Sequence, residues 1–570
     1  MELFLIDAIG PFFRGYQRKR INWSKIPFEH LATAGPRREA QFAQIRTDMD
    51  EFASRVSSAG YNAVSLDDLA HLAEHRWYEP EVRERIRVFR SEFRSLFDIL
   101  REHGLAIYIT MDVMFYTPEL KKRIGGSSRA IIDFLKSLID DFFSDFPTVD
   151  GLIVRIGESD GLDVDGDFKS ELHFRSASAV NEALRELLPV FEKHHRRLVF
   201  RTWTVGAYRI GDLMWHRRTF AETLNDIDSP SFVVAMKYGE SDFFRYLPLN
   251  KNFFRTKHPK IIELQAKREY EGCGEYPSFV GWDYEQYAEQ LEQAPNILGI
   301  SLWCQTGGWV PFRRLAYLGT GSPWTELNSY VTISIFRHGM SVEEALRECV
   351  DPGSYPKLLE FLRLNDEVIK ELLYVQEFAE QKLFFRRIRI PPLIGVYWGT
   401  IFVNHSMRKV MRHFVRDPEA CVREGYASLA KIKQMKRLAA ELDLPVADIV
   451  YMKRTFKILA LARQYFFYPY DETIRRRLVK AKKKYKKAYP KGTRPRYVVQ
   501  LDFKPFRVRR RFVGWFLAIA LRRRRRYRLI DQIFTIHLLS LVYRIVRTTR
   551  SRWIPKFARK SAMGIDTIFR

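Results

Sequence analysis

The chain has 570 residues, of which 46% are hydrophobic, so it is long enough for two or three domains with one large core. Its formal net charge of +27 is concentrated at one end, because residues 475–570 carry 31 Lys and Arg against 3 Asp and Glu, a net of +28. The remaining 474 residues carry a net charge of −1. This distribution excludes a uniformly basic nucleic-acid binder and indicates a near-neutral globular body with a basic tail.

Eight short apolar runs alternate with helical segments in the first part of the chain. The segments at 38–60 and 129–146 carry apolar residues at helical spacing. Near-continuous apolar strands alternating with helices predict a parallel sheet covered on both faces, and eight such units predict a (β/α)8 TIM barrel over residues 1–324. A doubly wound open sheet is the alternative, but no glycine-rich phosphate loop follows the first run. The runs lie at residues 3–10, 62–68, 105–112, 151–158, 198–205, 232–239, 261–268 and 297–304.

The next part of the chain is helical in pattern. Helix-forming residues with apolar positions at a period of 3.6 occupy residues 341–349, 355–381 and 424–443. We therefore expect an all-α domain over residues 325–474, packed on the barrel.

Residues 475–570 form a basic amphipathic tail. Its two apolar pieces, 512–521 and 529–546, are separated by five arginines. The first is too short to span a bilayer and the second is interrupted by Asp531 and Arg544. Both suit interfacial helices, so residues 505–570 are expected to bind an anionic membrane surface. Nucleic acid is a less favoured partner, because a nucleic-acid arm would not need these apolar pieces.

The cellular compartment is inferred from the cysteines and the N-terminal sequence. Cys273, Cys304, Cys349 and Cys421 lie far apart without a CxxC pair, which disfavours a zinc or redox site. The start of the chain has no basic region ahead of its short apolar run, so it does not resemble a signal peptide. We expect a cytoplasmic protein peripherally associated with the inner face of the membrane.

Polar and aromatic residues gather at the predicted C-terminal ends of the strands, where TIM barrels carry function. Acidic, cationic and aromatic side chains at one rim are typical of sugar binding, and glycoside cleavage needs two carboxyl groups. The plainer alternative is that these carboxylates cap helices or pair with Arg and Lys. No His lies among them, so neither a metal nor a cofactor is expected. The residues are Asp7, Asp67, Asp68, Asp112, Arg155, Glu158, Asp160, Arg201, Trp203, Lys237, Glu240, Asp242, Glu263, Gln265, Lys267, Arg268, Glu269, Trp303, Gln305 and Trp309.

Two segments carry a family resemblance. After the sixth run stands Lys237-Tyr-Gly-Glu-Ser-Asp242-Phe, and the seventh contains Glu263-Leu-Gln-Ala-Lys-Arg-Glu269-Tyr-Glu-Gly. They resemble the strand-six and strand-seven motifs of the family 67 α-glucuronidases, barrel enzymes that remove 4-O-methylglucuronic acid from xylan fragments with inversion. Tyr and Glu replace the family's Asn and Pro in the first segment, so a different glycan is expected.

The resemblance implies roles for individual residues. Asp242 and Glu269 match the carboxylates that activate water, and Glu158 matches the acid, with Asp160 as the alternative. Glu263 would orient a cation or bind a hydroxyl group. The residues expected to bind substrate are Arg155, Asp160, Arg201, Trp203, Lys237, Glu263, Gln265 and Trp303.

Two functions therefore stand side by side. The first is an inverting glycoside hydrolase, α-glucuronidase-like, that acts on an acidic or uronic-acid-bearing oligo- or polysaccharide at the membrane. The second is a catalytically inactive or glycan-binding barrel in cell-surface polysaccharide assembly.

Overall fold

The computed structural model describes most of the chain. The described residues are 1–16, 26–157, 166–204, 209–272, 275–305, 314–385, 388–390, 392–393, 395–397, 400–490, 497–504, 509–523, 538, 541–542, 545 and 548–549. Glu158, Asp160, Trp309 and most of the second apolar piece of the tail lie outside the described residues.

Eight parallel strands close into a barrel, which confirms the predicted TIM fold. The first strand pairs with both the second and the eighth, through Leu5 beside Ala63 and Leu3 beside Gly299. The strands are β1 Leu3–Asp7, β2 Ala63–Leu66, β3 Ala106–Asp112, β4 Gly151–Arg155, β5 Arg197–Arg201, β6 Phe232–Lys237, β7 Lys260–Gln265 and β8 Ile297–Trp303.

Helices lie between the strands, as the alternating pattern predicted. The long α1 has Pro36 in its first turn, and Gly60, with a φ of +107°, follows its C-terminal end. The helices are α1 Gly35–Ser58, α2 Leu69–Leu72, α3 Pro80–Glu102, α4 Pro118–Ile124, α5 Ser128–Asp145, α6 Ala177–Lys193, α7 Arg217–Thr223, α8 Gly281–Leu291 and α9 Pro323–His338.

The barrel interior changes from apolar to charged along its axis. Side chains alternate between the two faces of a strand, so residues two apart point the same way. The lower part is filled by a buried apolar cluster of Leu3, Leu5, Ala63, Tyr108, Ile153, Val199, Val233, Ala235 and Ile261. In each strand, the residues two or four positions after these apolar residues face the same way and are mostly polar. The alternation of side chains therefore places charged groups at the mouth of the barrel.

The chain forms two compact units. The first comprises Met1–Asp242, Pro248–Ala266 and Asp283–Met340, and the second comprises Phe243–Leu247, Lys267–Trp282 and Ser341–Arg570. The whole of α9, most of which the sequence pattern placed in the helical domain, thus belongs to the first unit. The loop that carries Glu269 belongs to the second.

The second unit is mainly helical, as expected, but it also contains two three-stranded sheets that periodicity did not predict. One sheet joins Phe384–Phe385, Ile388–Arg389 and Leu521–Arg522, and the other joins Val396–Tyr397, Thr400–Asn404 and Val498–Asp502. The helices are α10 Val342–Glu348, α11 Tyr355–Leu373, α12 Gln376–Glu380, α13 His405–Phe414, α14 Pro418–Glu441, α15 Val446–Phe467, α16 Glu472–Ala488 and α17 Arg510–Ala520.

Part of the basic tail is folded. In α16, Ile474, Leu478 and Tyr485 are buried while the arginines and most of the lysines face solvent, and the helix packs on α15. Helix α17 contains most of the first apolar piece. Within it, Phe512 is 52% exposed and Trp515 is 65% exposed. Within the described residues, no helix is both long enough and apolar enough to cross a bilayer.

Closure of the barrel depends on a glycine in β8. A Cβ at Gly299 would lie 1.7 Å from the backbone oxygen of Leu3, which cannot move without breaking the pairing of β1 with β8. We expect Gly299→Ala to lower the free energy of unfolding by about 3 kcal/mol or more, measured by denaturant unfolding. Gly126→Ala is the matched control, since a Cβ there meets nothing within 4 Å. Equal stability of the two variants would contradict this close contact.

Candidate functional site

Three cations stand at the ends of adjacent strands at the barrel mouth. Arg155 ends β4, Arg201 ends β5 and Lys237 ends β6, and each is at most 5% exposed. Each has a carboxylate partner within the barrel unit. Because burying an unpaired charge is costly, the positions of these cations depend on their acidic partners.

Arg155 is held by acids from the two preceding strands. Its Nε lies 2.8 Å from Oδ1 of Asp112, and its Nη2 lies 4.0 Å from Oδ1 of Asp67. Both carboxylates accept hydrogen bonds from hydroxyl groups, Asp112 from that of Ser170 at 2.6 Å and Asp67 from that of Thr110. The expected substrate-binding Arg155 is therefore the centre of a buried polar cluster.

Arg201 and Glu263 form the second pair. The guanidinium Nε donates to both carboxylate oxygens of Glu263, at 2.9 and 2.8 Å. Both side chains are buried, and the guanidinium carbon lies 4.6 Å from the ring centre of Trp303. Glu263 thus orients an arginine, and a cation covers one face of the Trp303 indole.

Lys237 and Asp242 form the third pair, at the end of β6. The ammonium nitrogen lies 2.7 Å from Oδ1 of Asp242 and 3.5 Å from the ring centre of Trp203. The side chain of Asp242 is 21% exposed, more than any other acid in these pairs. It is therefore the paired carboxylate best placed to meet a ligand or a water molecule.

Two further residues complete the rim between β7 and β1. The Tyr284 hydroxyl accepts from the backbone nitrogen of Gln265 at 3.0 Å and donates to its backbone oxygen at 2.7 Å, which fixes the end of β7. The carboxylate of Asp7 accepts from the backbone nitrogens of Cys304 and Gln305, the latter at 3.0 Å, and so fixes the chain just after β8.

The predicted base Glu269 lies in the second unit, in a loop fixed by its neighbour Glu271. Arg245 donates to both oxygens of Glu271, at 2.9 and 2.8 Å, and Ser278 and Tyr374 donate to the same carboxylate. Burial alone would raise the pKa of Glu271, but Arg245 and the other donors lower it to about 2. Arg245 also donates to Asp366 of α11 at 2.6 Å.

The structure thus brings together a large part of the predicted site. Arg155, Arg201, Lys237, Asp242, Glu263, Gln265, Trp203 and Trp303 all belong to the barrel unit. Glu269 belongs to the other unit, and Glu158 and Asp160 lie outside the described residues, so the three predicted catalytic carboxyl groups are not seen together.

Pairing of acids with cations, the plainer alternative, holds for Asp112, Glu263 and Asp242. Asp68 caps α2 by accepting from the backbone nitrogen of Ala70. Pairing does not exclude a role of Asp242 and Glu263 in ligand binding, because their partners Lys237 and Arg201 lie at the same barrel mouth.

Some residues of these networks were missed. Tyr374 and Asp366 sit about a hundred residues from Glu271, on or just after α11, and no local pattern could connect them. Arg245 had a detectable signal, since it lies eight residues after β6 in a loop already marked by acidic residues. Among the described residues, no group of three His, Cys, Asp or Glu could hold a metal ion.

The fold is shared with known glycoside hydrolases, although no protein-family model and no curated protein matches the sequence. A GH138 enzyme targeting pectin rhamnogalacturonan II is similar over 85% of this chain, with 11% identity and a TM-score of 0.51. The match covers 59% of that enzyme, so this chain spans about three-fifths of its length. At this identity the likeness shows the fold alone, a (β/α)8 barrel that is also found in a glycoside hydrolase.

Two further solved structures are similar at lower TM-scores. A mutant O-GlcNAc hydrolase of Thermobaculum terrenum is 9% identical over 78% of this chain and 86% of that chain, with a TM-score of 0.39. The protein CpGH84B is 11% identical over 78% of this chain and 71% of that chain, with a TM-score of 0.37. The resemblance to family 67 is not supported specifically by any of these three structures.

The Glu271 network makes a prediction about acid stability. Its pKa is depressed from 4.5 to about 2 in the folded chain, so its stabilisation is complete above about pH 4.5 and is lost as the pH falls towards 2. Glu271→Gln should lower the free energy of unfolding at neutral pH by about 3 kcal/mol. Its stability should also fall less steeply than that of the wild type between those two pH values.

Urea unfolding from pH 7 to pH 3 measures this difference. Glu419→Gln is the matched control, because the side chain of Glu419 is 77% exposed. A Glu271→Gln curve parallel to that of the wild type across this range would show that Glu271 does not carry the pH dependence.

Proposed function

We propose that the chain is a glycoside hydrolase that cleaves an acidic or uronic-acid-bearing glycan at the barrel mouth with inversion. The observation that carries the proposal is the polar top layer of the barrel, in which three cation–carboxylate pairs and two tryptophans share one rim. Buried ion pairs add little net stability compared with apolar packing. Three of them on the functional end of a TIM barrel therefore favour a role in binding.

The chemistry of the rim suits an acidic sugar. Arg201 and Lys237 each already bind a carboxylate, and a uronate would present the same group to them. A planar guanidinium matches a carboxylate with two parallel hydrogen bonds. The glycan is proposed to be a poly- or oligosaccharide with exposed uronic acids.

The catalytic roles are proposed from the family 67 resemblance. An inverting enzyme uses one carboxylate to activate water and one carboxylic acid to protonate the leaving oxygen, about 6.5–9.5 Å apart. Asp242, with Glu269, would be the base, and Glu158 the acid, with Asp160 as its alternative. The ammonium group of Lys237, 2.7 Å from Oδ1 of Asp242, would hold this carboxylate in position at the end of β6.

A glycan-binding barrel without catalysis is the second candidate. It is favoured by the pairing of Asp112, Glu263 and Asp242 with cations, because carboxylates used to position a binding surface need no part in proton transfer. Binding needs only the rim, whereas hydrolysis needs a carboxyl group that can also exchange a proton. The two candidates differ in whether removing the predicted acid and base changes a rate.

Turnover of an acidic oligosaccharide panel by carboxylate variants separates the candidates. Glu158→Gln should reduce hydrolysis of unactivated glycosides by at least about a hundredfold and spare aryl glycosides with good leaving groups, which need no protonation. Asp242→Asn and Glu269→Gln should impair both substrate types. Glu289→Gln, on the exposed surface of α8, is the control. Wild-type rates in all three site variants would exclude these assignments, and binding without turnover would favour the second candidate.

The tail is proposed to hold the protein on the cytoplasmic face of an anionic membrane. Helix α17 presents Phe512 and Trp515 to solvent beside Arg509 and Arg511. Exposed aromatic residues flanked by cations suit insertion at the level of the lipid headgroups. Each cation near the surface would add about 1 kcal/mol of attraction.

Vesicle flotation measures this attachment. The full chain should float with phosphatidylglycerol-containing vesicles and stay bound at about 1 M salt, because screening removes charge attraction but not apolar insertion. Replacing both Phe512 and Trp515 by Ala should make binding salt-sensitive, and deleting 505–570 should abolish it. Phe254→Ala removes an aromatic residue of comparable exposure from the barrel unit and should have no effect. Complete release of the wild type by salt would mean a purely electrostatic contact and would favour nucleic acid as the partner.

A further inference from the structure

Two buried hydrogen-bond donors stand at the end of β8 without an acceptor. Trp303 is 5% exposed and Gln305 is 1% exposed. Over the described part of the chain, neither the indole Nε1 of Trp303 nor the amide Nε2 of Gln305 has a hydrogen-bond partner. Buried donors are almost always paired, so each of these nitrogens needs an acceptor oxygen that the described residues do not supply.

Both donors lie at the mouth, between β8 and β1. Trp303 continues the inward-facing series of β8, because Gly299 and Ser301 are in register with the interior residues Leu3 and Leu5. The amide nitrogen of Gln305 lies beside the turn after β1. A Cβ atom at Gly10 in that turn would be 3.5 Å from this nitrogen.

The two side chains are held in place rather than loosely oriented. The carboxylate of Asp7 binds the backbone nitrogens of Cys304 and Gln305, which fixes the backbone between the donors. The guanidinium of Arg201 covers one face of the Trp303 ring. Because that face is occupied, the N–H edge is the polar part of the indole that can recognise a ligand.

We propose that Trp303 and Gln305 form a donor pair that binds acceptor oxygens of the sugar, and that Gln305 is a specificity-determining residue. The inference rests on the proposed function and deepens it. Two N–H donors select a hydroxyl or carboxylate oxygen and reject a ligand that lacks an acceptor at that position. An unmade hydrogen bond at a buried donor costs roughly tenfold in affinity.

Isothermal calorimetry with D-glucuronate, D-galacturonate and D-glucose tests the pair. Gln305→Glu keeps the shape of the side chain but replaces the donor by an acceptor, and it should weaken binding of the best sugar by at least about tenfold. Trp303→Phe keeps a ring under Arg201 but removes the N–H, and it should weaken binding by about tenfold. Gln290→Glu, on the exposed surface of α8, should bind like the wild type. Thermal unfolding of each variant checks that it folds.

The outcomes separate this inference from the proposed function. If the wild type binds a sugar and both Gln305→Glu and Trp303→Phe bind it equally well, the donor pair is overturned and the proposed function stands. If the wild type binds none of the sugars, the proposed function is contradicted, and a crystal structure of the free protein decides the donor pair. Ordered water on both nitrogens would support a ligand site, whereas protein acceptors on both would overturn it.

Discussion

The mouth of the barrel depends on the pairing of buried cations with carboxylates at the ends of the strands. Strand alternation places Arg155, Arg201 and Lys237 on the inner face, where they are removed from water. Such charges persist only with acidic partners in good geometry, and Asp112, Glu263 and Asp242 supply them. The position of each polar side chain is therefore determined jointly with that of its partner, and the rim behaves as one electrostatic unit.

The same constraint explains how much could be predicted from the sequence. The eight apolar runs were sufficient for the barrel, because a period of two and a break into helix are local features. The strand ends could be read as candidate residues for the same reason. The partner of each cation could not be predicted. Arg201 and Glu263, for example, are 62 residues apart, and their contact depends on the order of the strands in the barrel.

The second unit shows the limit of local patterns more clearly. Its helices follow from helical periodicity, but its two small sheets are built from strands of two to five residues, too short for alternation to be detected. The loop with Glu269 illustrates a different limit. Its neighbour Glu271 accepts hydrogen bonds from Arg245, in the loop after β6, and from Tyr374, directly after α11. These partners are distant in the sequence, so local patterns could not predict the environment of Glu271.

We propose that the charged top layer of the barrel is a sugar-binding surface. A crystal structure of the protein grown with a uronic-acid oligosaccharide tests it most directly. We expect a sugar ring at the C-terminal ends of the strands, with its carboxylate near Arg201 or Lys237 and with Asp242 facing the glycosidic bond. A sugar bound elsewhere, or a mouth that stays empty at saturating sugar while the three ion pairs remain intact, would show that the layer is structural.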